Sequence, residues 1–356
     1  MRSSEAFSSY LLQELKKETR PITLMEVCGT HTMAIAKSGL RALLPSNFTL
    51  LSGPGCPVCV TSQGDIDAVI ELAKIPGVIL TTFGDMMRVP GAKSSLEREK
   101  GRGADIRVVY SPLEAVKIAE ANQDKQVVFL GVGFETTAPG VGLSIEEAAQ
   151  KGLENYFVWS LHKLVPPALK AILSDEEVKL DGLICPGHVS AVIGIEPYQE
   201  LAERYRCPCV VTGFELQDIL EGIYLLVEQI KNGQARAEIQ YRRVVKPQGN
   251  LEAKKVIDRV FCQVDAIWRG LGTIPKSGLE VAGPYEQFNA RKRFDVPFLA
   301  EEEVKGCSCG EILKGKKRPF ECPLFGVSCT PFRPFGPCMV SSEGACAAYY
   351  RYSGKI

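Results

Sequence analysis

Short apolar runs alternate with amphipathic segments through the first two thirds of the chain. The runs are rich in Val, Ile, Leu and Phe and end in Gly, Pro, Ser or Asn, which is typical of buried parallel strands. They predict strands at 22–27, 50–52, 78–83, 106–110, 127–132, 156–160, 183–185 and 208–212. Helical periodicity predicts helices at 5–19, 33–40, 65–73, 112–122, 216–230 and 251–261. This alternation is typical of an α/β fold with mostly parallel sheets.

The pattern restarts after residue 123 and changes character after residue 235. Two short echoes suggest a duplication: Pro54-Gly55-Cys56 with Pro186-Gly187-His188, and Phe83-Gly84-Asp85 with Phe214-Glu215. We therefore predict two similar open Rossmann-like α/β domains and a small Cys-rich iron–sulfur domain. The predicted bounds are 20–123, 124–235, and a third unit formed by 1–19 and 236–356.

Composition narrows the possible functions. The 356 residues include 42 Lys and Arg against 42 Asp and Glu, so no global field attracts nucleic acid or an acidic membrane. No apolar run approaches the ~20 residues of a membrane helix, and the first residues lack a signal-peptide core. We therefore expect a cytoplasmic protein. In that compartment thirteen cysteines favour metal or redox chemistry over structural disulfides.

Two thiols lie in the stiff loop Gly53-Pro54-Gly55-Cys56-Pro57-Val58-Cys59, between a strand and a helix. The spacing lets both sulfurs reach one atom, as a chelate or a redox pair requires. A helix N-terminus is also expected to stabilise a thiolate. Two buried structural cysteines are the alternative, which this loop disfavours.

Six further cysteines fall in the last fifty residues, where apolar periodicity is weak. Four could hold a [4Fe–4S] cluster and two would remain free. A zinc site with two idle cysteines is the alternative, although paired C-x-x-C knuckles are absent from this tail. The six are Cys307, Cys309, Cys322, Cys329, Cys338 and Cys346.

Four residues at strand ends complete the candidate site. Cys28 would join Cys56 and Cys59 if neighbouring strands bring both loops to one sheet edge, and three thiolates suit iron or zinc. His31 is expected to orient a thiol or cap a helix rather than bind metal. Glu135 and His188 are expected to face the same cleft, although Glu135 could instead cap a helix.

These motifs carry a resemblance that covers essentially the whole chain. Cys28-Gly29-Thr30-His31, the Cys56/Cys59 loop, 133–139 and 186–190 are similar to motifs of the HypD family of [NiFe]-hydrogenase maturation proteins. The segments 322–326 and 338–350 resemble that family's cluster domain.

The resemblance implies a scaffold that works with HypC to assemble the Fe(CN)2CO unit of a hydrogenase, with cyanide arriving from HypE. It implies iron contacts at Cys28, Cys56 and Cys59, with Cys309 and Cys338 as a redox-active pair. It implies cluster ligands at Cys307, Cys322, Cys329 and Cys346. A thioredoxin-like thiol–disulfide oxidoreductase coupled to an iron–sulfur cluster is the second hypothesis. A metal-stabilised binding protein without catalysis is the third.

Overall fold

The fold is given by a computed structural model that describes residues 4–297 and 306–352. Strands and helices largely follow the predicted alternation. The strands are β1 (Ile22–Glu26), β2 (Phe48–Ser52), β3 (Val78–Thr82), β4 (Ile106–Val108), β5 (Gln126–Gly131), β6 (Tyr156–Ser160), β7 (Gly182–Pro186), β8 (Cys209–Thr212), β9 (Ala237–Ile239), β10 (Phe261–Trp268) and β11 (Gly272–Val281).

Seventeen α-helices are present in the described residues, several of them a single turn long. They are α1 (Ser4–Leu15), α2 (Gly29–Lys37), α3 (Leu40–Leu43), α4 (Pro57–Val60), α5 (Gln63–Leu72), α6 (Leu96–Gly101), α7 (Pro112–Ala121), α8 (Ala138–Gln150), α9 (Val165–Leu173), α10 (Gly187–Ile193), α11 (Glu196–Tyr205), α12 (Leu216–Lys231), α13 (Leu251–Val260), α14 (Ala290–Arg293), α15 (Cys309–Leu313), α16 (Pro337–Val340) and α17 (Ala345–Tyr352). Short 3₁₀ turns occur at Gly84–Met86, Gly283–Phe288 and Pro319–Glu321.

Nine of the strands form two fully parallel sheets. The first sheet has the order β2-β1-β7-β8-β9 and the second the order β4-β3-β5-β6. When the strands are numbered in chain order within each sheet, the spatial order is 2-1-3-4 in both sheets, and the first sheet has a fifth strand at its edge. The two α/β units therefore share a topology, as the restarting pattern suggested.

The sheets do not follow the predicted division at residue 123. β1 pairs with β2 and with β7, which begins after residue 180, whereas β3 pairs with β4 and with β5. The chain thus leaves the first sheet after β2, completes the second, and returns at β7. Neither sequence echo marks equivalent positions of a duplication. The loops after β2 and β7 belong to one sheet, and β3 and β8 are the first and the fourth strand, in chain order, of their different sheets. Parallel strands are joined by long crossovers, so chain order does not dictate which strands become neighbours.

The predicted third unit is also distributed. Helix α1 buries Leu11 and Leu15 among apolar residues of the first sheet and α12, so it lies away from the Cys-rich tail. The antiparallel hairpin β10–β11 and helix α13 pack beside the second sheet, with Phe261 and Leu279 in its core.

The Cys-rich tail joins the central core rather than standing apart from it. Ile312, Leu313 and Met339 are buried in the same apolar cluster as Met25 of β1 and Leu130 of β5. Apolar burial therefore helps to hold the tail, although its apolar periodicity is weak. Within the described part of the chain, no helix is long and apolar enough to span a bilayer.

Candidate functional site

The site lies where strand order reverses in the first sheet. From β1 the chain crosses to β2 on one side, and β7 lies on the other side, so the loops after β1 and β7 diverge at this point. Such a switch point at the carboxyl ends of parallel strands is the usual ligand position of an open α/β sheet. The loop after β1 carries Cys28 and the loop after β7 carries His188.

Register places the two thiol loops side by side. Glu26 and Ser52 are paired at the ends of β1 and β2, so Cys28 and Cys56 leave the sheet at the same edge. The amide N–H of Gly29 donates to the carbonyl oxygen of Gly55 at 2.8 Å. A Cβ on Gly55 would lie only 2.4–2.6 Å from the backbone of Cys28. Glycine is therefore required for the loops to touch.

The buried carboxyl of Glu26 positions Cys28, a role that the sequence did not predict. Glu26 accepts hydrogen bonds from the amide of Cys28 at 3.2 Å and from the Thr32 hydroxyl at 2.6 Å. Burial raises the pKa of Glu26 to about 7. The only sequence signal for this role is a charged residue at the end of an apolar strand.

Burial also decides the protonation of the thiols. It raises the pKa of Cys28 to about 12, against the smaller opposing effect of amide hydrogen bonds from residues 30 and 31. Burial raises the pKa of Cys59 as well, and the Cys56 and Cys338 sulfurs add to that shift. Burial thus opposes the thiolate that the sequence predicted at this helix N-terminus, because it raises the pKa of Cys59. Helix α4 has only one turn, and desolvation outweighs its dipole.

A continuous chain of sulfurs leads from this loop into the tail. Cys56 accepts from the amide of Cys59 at 3.3 Å, and Cys59 hydrogen-bonds Cys338. Cys338 and Cys309 lie 2.7 Å apart, sulfur to sulfur. Hydrogen bonds from Cys309 and Cys59 lower the pKa of Cys338. A thiol with a lowered pKa therefore lies between Cys59 and Cys309 in the chain of sulfurs.

All six tail cysteines line one small cavity. Its remaining walls are apolar or glycine: Ile312, Leu324, Phe325, Gly336 and Met339. The Cys329 sulfur also accepts a hydrogen bond from the amide of Phe335 at 3.3 Å. An all-sulfur donor set in a dry pocket suits an iron–sulfur cluster, and amide bonds to sulfur tune such clusters. The residues present therefore fit the predicted cluster.

The geometry needed to bind a single metal ion differs from that needed to bind a cluster. Across residues 4–297 and 306–352, no three His, Cys, Asp or Glu side chains are arranged to hold a single metal ion. The thiols of Cys28, Cys56 and Cys59 therefore share one edge without forming a preassembled three-ligand site. A four-iron cluster makes a different demand, because each of its cysteines binds a different iron.

The two site histidines flank a phenylalanine. His188 is exposed and its ring lies 4.1 Å from that of Phe214, while the buried His31 ring lies 4.8 Å from Phe214. His31 Nε2 lies 2.9 Å from the carbonyl oxygen of Gly213 and 2.8 Å from the Thr212 hydroxyl. Burial lowers the pKa of His31 to about 4, so its ring is neutral. The His31 ring thus ties α2 to the end of β8, and within the described residues it contacts no thiol and caps no helix. Only the amide of His31 acts on the Cys28 sulfur.

Glu135 has the structural contact that the sequence left open. Its Oε1 accepts the amide of Val165 at 2.9 Å, at the start of α9, and burial raises its pKa to about 7. The other oxygen, Oε2, is buried without a partner among the described residues. No hydrogen bond or ion pair in the described chain links Glu135 to the Cys28 loop.

Glu343 is a second residue that sequence reasoning missed. Its Oε1 accepts from the Thr30 hydroxyl at 3.0 Å, and its side chain lies directly over Gly29. Its charge also acts on both Cys28 and His188. Glu343 lies three residues before Cys346, so it brings the Cys-rich tail into contact with the Cys28 site.

Comparison with known proteins identifies the family of the chain. Residues 5–353 match the profile of the family named HypD and described as "Hydrogenase formation hypA family". The chain belongs to the HypD family. The match spans both thiol loops and the tail cavity.

Curated relatives resemble the chain over nearly its full length. It is 46% identical over 334 residues to the hydrogenase maturation factor HypD of Escherichia coli, covering 94% of this chain and 90% of that protein. It is 46% identical over 340 residues to the protein of the same name from Rhodobacter capsulatus, with the same coverage. A putative hydrogenase expression/formation protein of Methanocaldococcus jannaschii is 44% identical over 341 residues, covering 96% and 95%.

Proposed function

We propose that this protein is a scaffold on which the Fe(CN)2CO unit of a [NiFe]-hydrogenase is assembled, in complex with HypC. The iron is the cargo, and Cys28, Cys56 and Cys59 are its contacts at the switch point of the first sheet. HypE would donate cyanide transiently. The charge balance gives no reason to invoke nucleic acid or a membrane surface.

The observation that carries the proposal is the chain of sulfurs between the two thiol sites. A binding module without redox chemistry would not need Cys59 beside Cys338, and Cys338 beside Cys309, within a buried core. That arrangement lets two electrons pass between the tail and the iron loop. A cluster in the tail cavity would supply electrons one at a time.

The exchange can be written with balanced electrons. The Cys338 thiolate attacks the Cys59 sulfur of a Cys56–Cys59 disulfide, and Cys56 leaves as a thiolate. The Cys309 thiolate then attacks Cys338, the mixed disulfide breaks, and Cys59 is released reduced. The Cys309/Cys338 pair is oxidised by two electrons and the Cys56/Cys59 pair gains them. The lowered pKa of Cys338 suits the first attack.

Metal binding must also release protons from the buried thiols. Because burial raises its pKa to about 7, Glu26 is partly ionised near neutrality and can then take up a proton, and it contacts the backbone of Cys28. Glu343 contacts Thr30 beside this loop, and its charge acts on the exposed His188. These groups offer a short route by which protons leave when iron enters.

The thioredoxin-like alternative is the weaker one here. Cys56 and Cys59 are 3% and 1% exposed, so a protein disulfide from outside cannot reach them without rearrangement. Their contact with Cys338 favours thiol–disulfide exchange with the tail cysteines over exchange with an external protein.

The test is Cys28→Ala in the complex with HypC, compared with Cys262→Ala. Cys262 is exposed on β10, away from both thiol sites. We expect Cys28→Ala to lose the cyanide and carbonyl infrared bands while keeping wild-type visible absorption and thermal stability. Cys262→Ala should keep all three properties. Bands of full intensity in Cys28→Ala would show that Cys28 does not contact iron.

A further inference from the structure

Exposed apolar side chains are concentrated on the Cys-rich tail. Thirteen large apolar residues are exposed in the described chain, and five of them lie within 320–352, about a tenth of it. We call these five the tail face: Phe320 (43% exposed), Val327 (81%), Phe332 (96%), Tyr350 (40%) and Tyr352 (41%). Scattered exposed apolar residues are ordinary, but a local concentration marks an interaction surface.

Local hydrogen bonds hold the most exposed members in place. The amide of Cys329 donates to the carbonyl of Leu324 at 2.8 Å, and that of Gly326 to Cys329 at 3.1 Å. Thr330 and Arg333 close a second turn through backbone hydrogen bonds. Val327 and Phe332 therefore project from one structured loop. The same loop carries Cys329, which lines the tail cavity.

Aromatic contacts join helix α17 to that loop and to Phe320. The rings of Phe325 and Tyr350 lie 6.2 Å apart, and those of Phe320 and Tyr349 lie 6.3 Å apart. The tail face thus runs from the Cys329 loop onto α17, which also carries the cavity cysteine Cys346.

Charge identifies the kind of partner that this face fits. The tail segment 306–352 has six Lys and Arg residues and three Glu, although the whole chain is neutral. One of the three, Glu343, is engaged by Thr30 at the other site. Three of the six basic residues, Lys316, Lys317 and Arg318, are paired with Asp175, Glu311 and Glu321. Arg333 adjoins Phe332 and Arg351 lies between Tyr350 and Tyr352; both are exposed and form no ion pair within the described residues. An apolar centre with a basic rim favours an acidic partner.

We propose that the tail face docks an acidic one-electron-transfer protein that reduces the tail thiols. This inference rests on the proposed function, because it requires a redox-active tail cavity. Two reduced partner molecules each lose one electron. The S–S bond of oxidised Cys309/Cys338 breaks, and the two sulfurs gain two electrons and two protons from solvent. A small, partly charged face suits such transient encounters.

The experiment uses the full-length, cluster-reconstituted protein with Cys309 and Cys338 oxidised. The probe is a reduced plant-type [2Fe–2S] ferredoxin, which is acidic, and its reoxidation is followed by stopped flow. We expect Phe332→Ser and Arg333→Glu to lower the second-order rate constant by about tenfold or more at low salt. The wild-type rate should fall as salt rises. Titration calorimetry should show weaker ferredoxin binding to both variants.

Matched controls separate the tail face from general effects. Tyr110→Ser removes an aromatic side chain that is 90% exposed beside the second sheet, and it should leave the rate unchanged. Dithionite should reduce every variant at the wild-type rate. Unchanged ferredoxin rates in Phe332→Ser and Arg333→Glu would overturn the docking proposal, as would wild-type protein that accepts electrons from dithionite but not from ferredoxin. Loss of HypC binding in the variants with an intact ferredoxin rate would assign the face to HypC instead. If neither reductant reduces the wild type, the redox part of the proposed function fails together with this inference.

Discussion

Replacing Gly55 by alanine tests the contact on which the shared thiol edge depends. The new Cβ would lie 2.4–2.6 Å from three backbone atoms of Cys28, whereas ordinary van der Waals contact begins at 3.4 Å. Backbone cannot rotate away as a flexible side chain can, so the loops must separate by about 1 Å, and metal–ligand distances tolerate only about 0.2 Å. The movement also lengthens the 2.8 Å hydrogen bond from Gly29 to Gly55.

The energetic cost follows from the same geometry. Overpacking a tight contact costs about 1–3 kcal/mol and the weakened hydrogen bond about 1 kcal/mol more. Both sheets should survive, because neither loop belongs to a strand. We therefore expect Gly55→Ala to fold, with a free energy of unfolding lowered by about 2–4 kcal/mol. It should lose the cyanide and carbonyl bands in the HypC complex.

The assay combines denaturant unfolding with infrared spectroscopy. Gly101→Ala is the matched control, because a Cβ there meets nothing within 4 Å and the residue lies at the end of α6. That control should keep full bands and wild-type stability. If Gly55→Ala keeps both its stability and its bands, the close approach of the two loops is not what positions the thiols.

Two further predictions address the sulfurs and the buried carboxyls. Cys309→Ser and Cys338→Ser should keep the iron content and visible absorption of the tail but abolish reduction of the Cys56/Cys59 pair, whereas Cys329→Ala should lose the iron. Iron lost from either Ser variant would mean that the ligand set includes that cysteine. Glu26 has a folded pKa of about 7, above the ordinary 4.5, so the folded state holds its proton longer than the unfolded state. Stability should therefore fall as pH rises from about 4.5 to about 7, by roughly 3 kcal/mol for this group. Glu135 carries the same shift, and the lowered pKa values of His31 and His162 act in the opposite direction over part of this range. The check is therefore the stability difference between wild type and Glu26→Gln in chemical denaturation, which should change by roughly 3 kcal/mol between about pH 4.5 and 7. A difference that does not change with pH would contradict the assignment.

The sequence alone placed most of the secondary structure and every cysteine of the site. Strands β1, β3 and β6 lie within one residue of their predicted bounds, because long apolar runs between Gly and Pro leave few other options. The junctions that carry Cys28 and Cys56 were predictable for the same reason. The family resemblance also came from local motifs, since these record chemistry at strand ends.

Tertiary structure decided which of these elements meet. Whether β1 pairs with β7 or with β3 depends on crossovers of more than a hundred residues, and local patterns carry no signal for that choice. The roles of Glu26 and Glu343 depend on contacts to Cys28 and Thr30 that only the folded chain creates. The protonation of the Cys59 thiol also depends on the folded structure. A helix N-terminus near Cys59 predicted a thiolate, but the packed core removes water from the thiol, and desolvation outweighs the dipole of a one-turn helix.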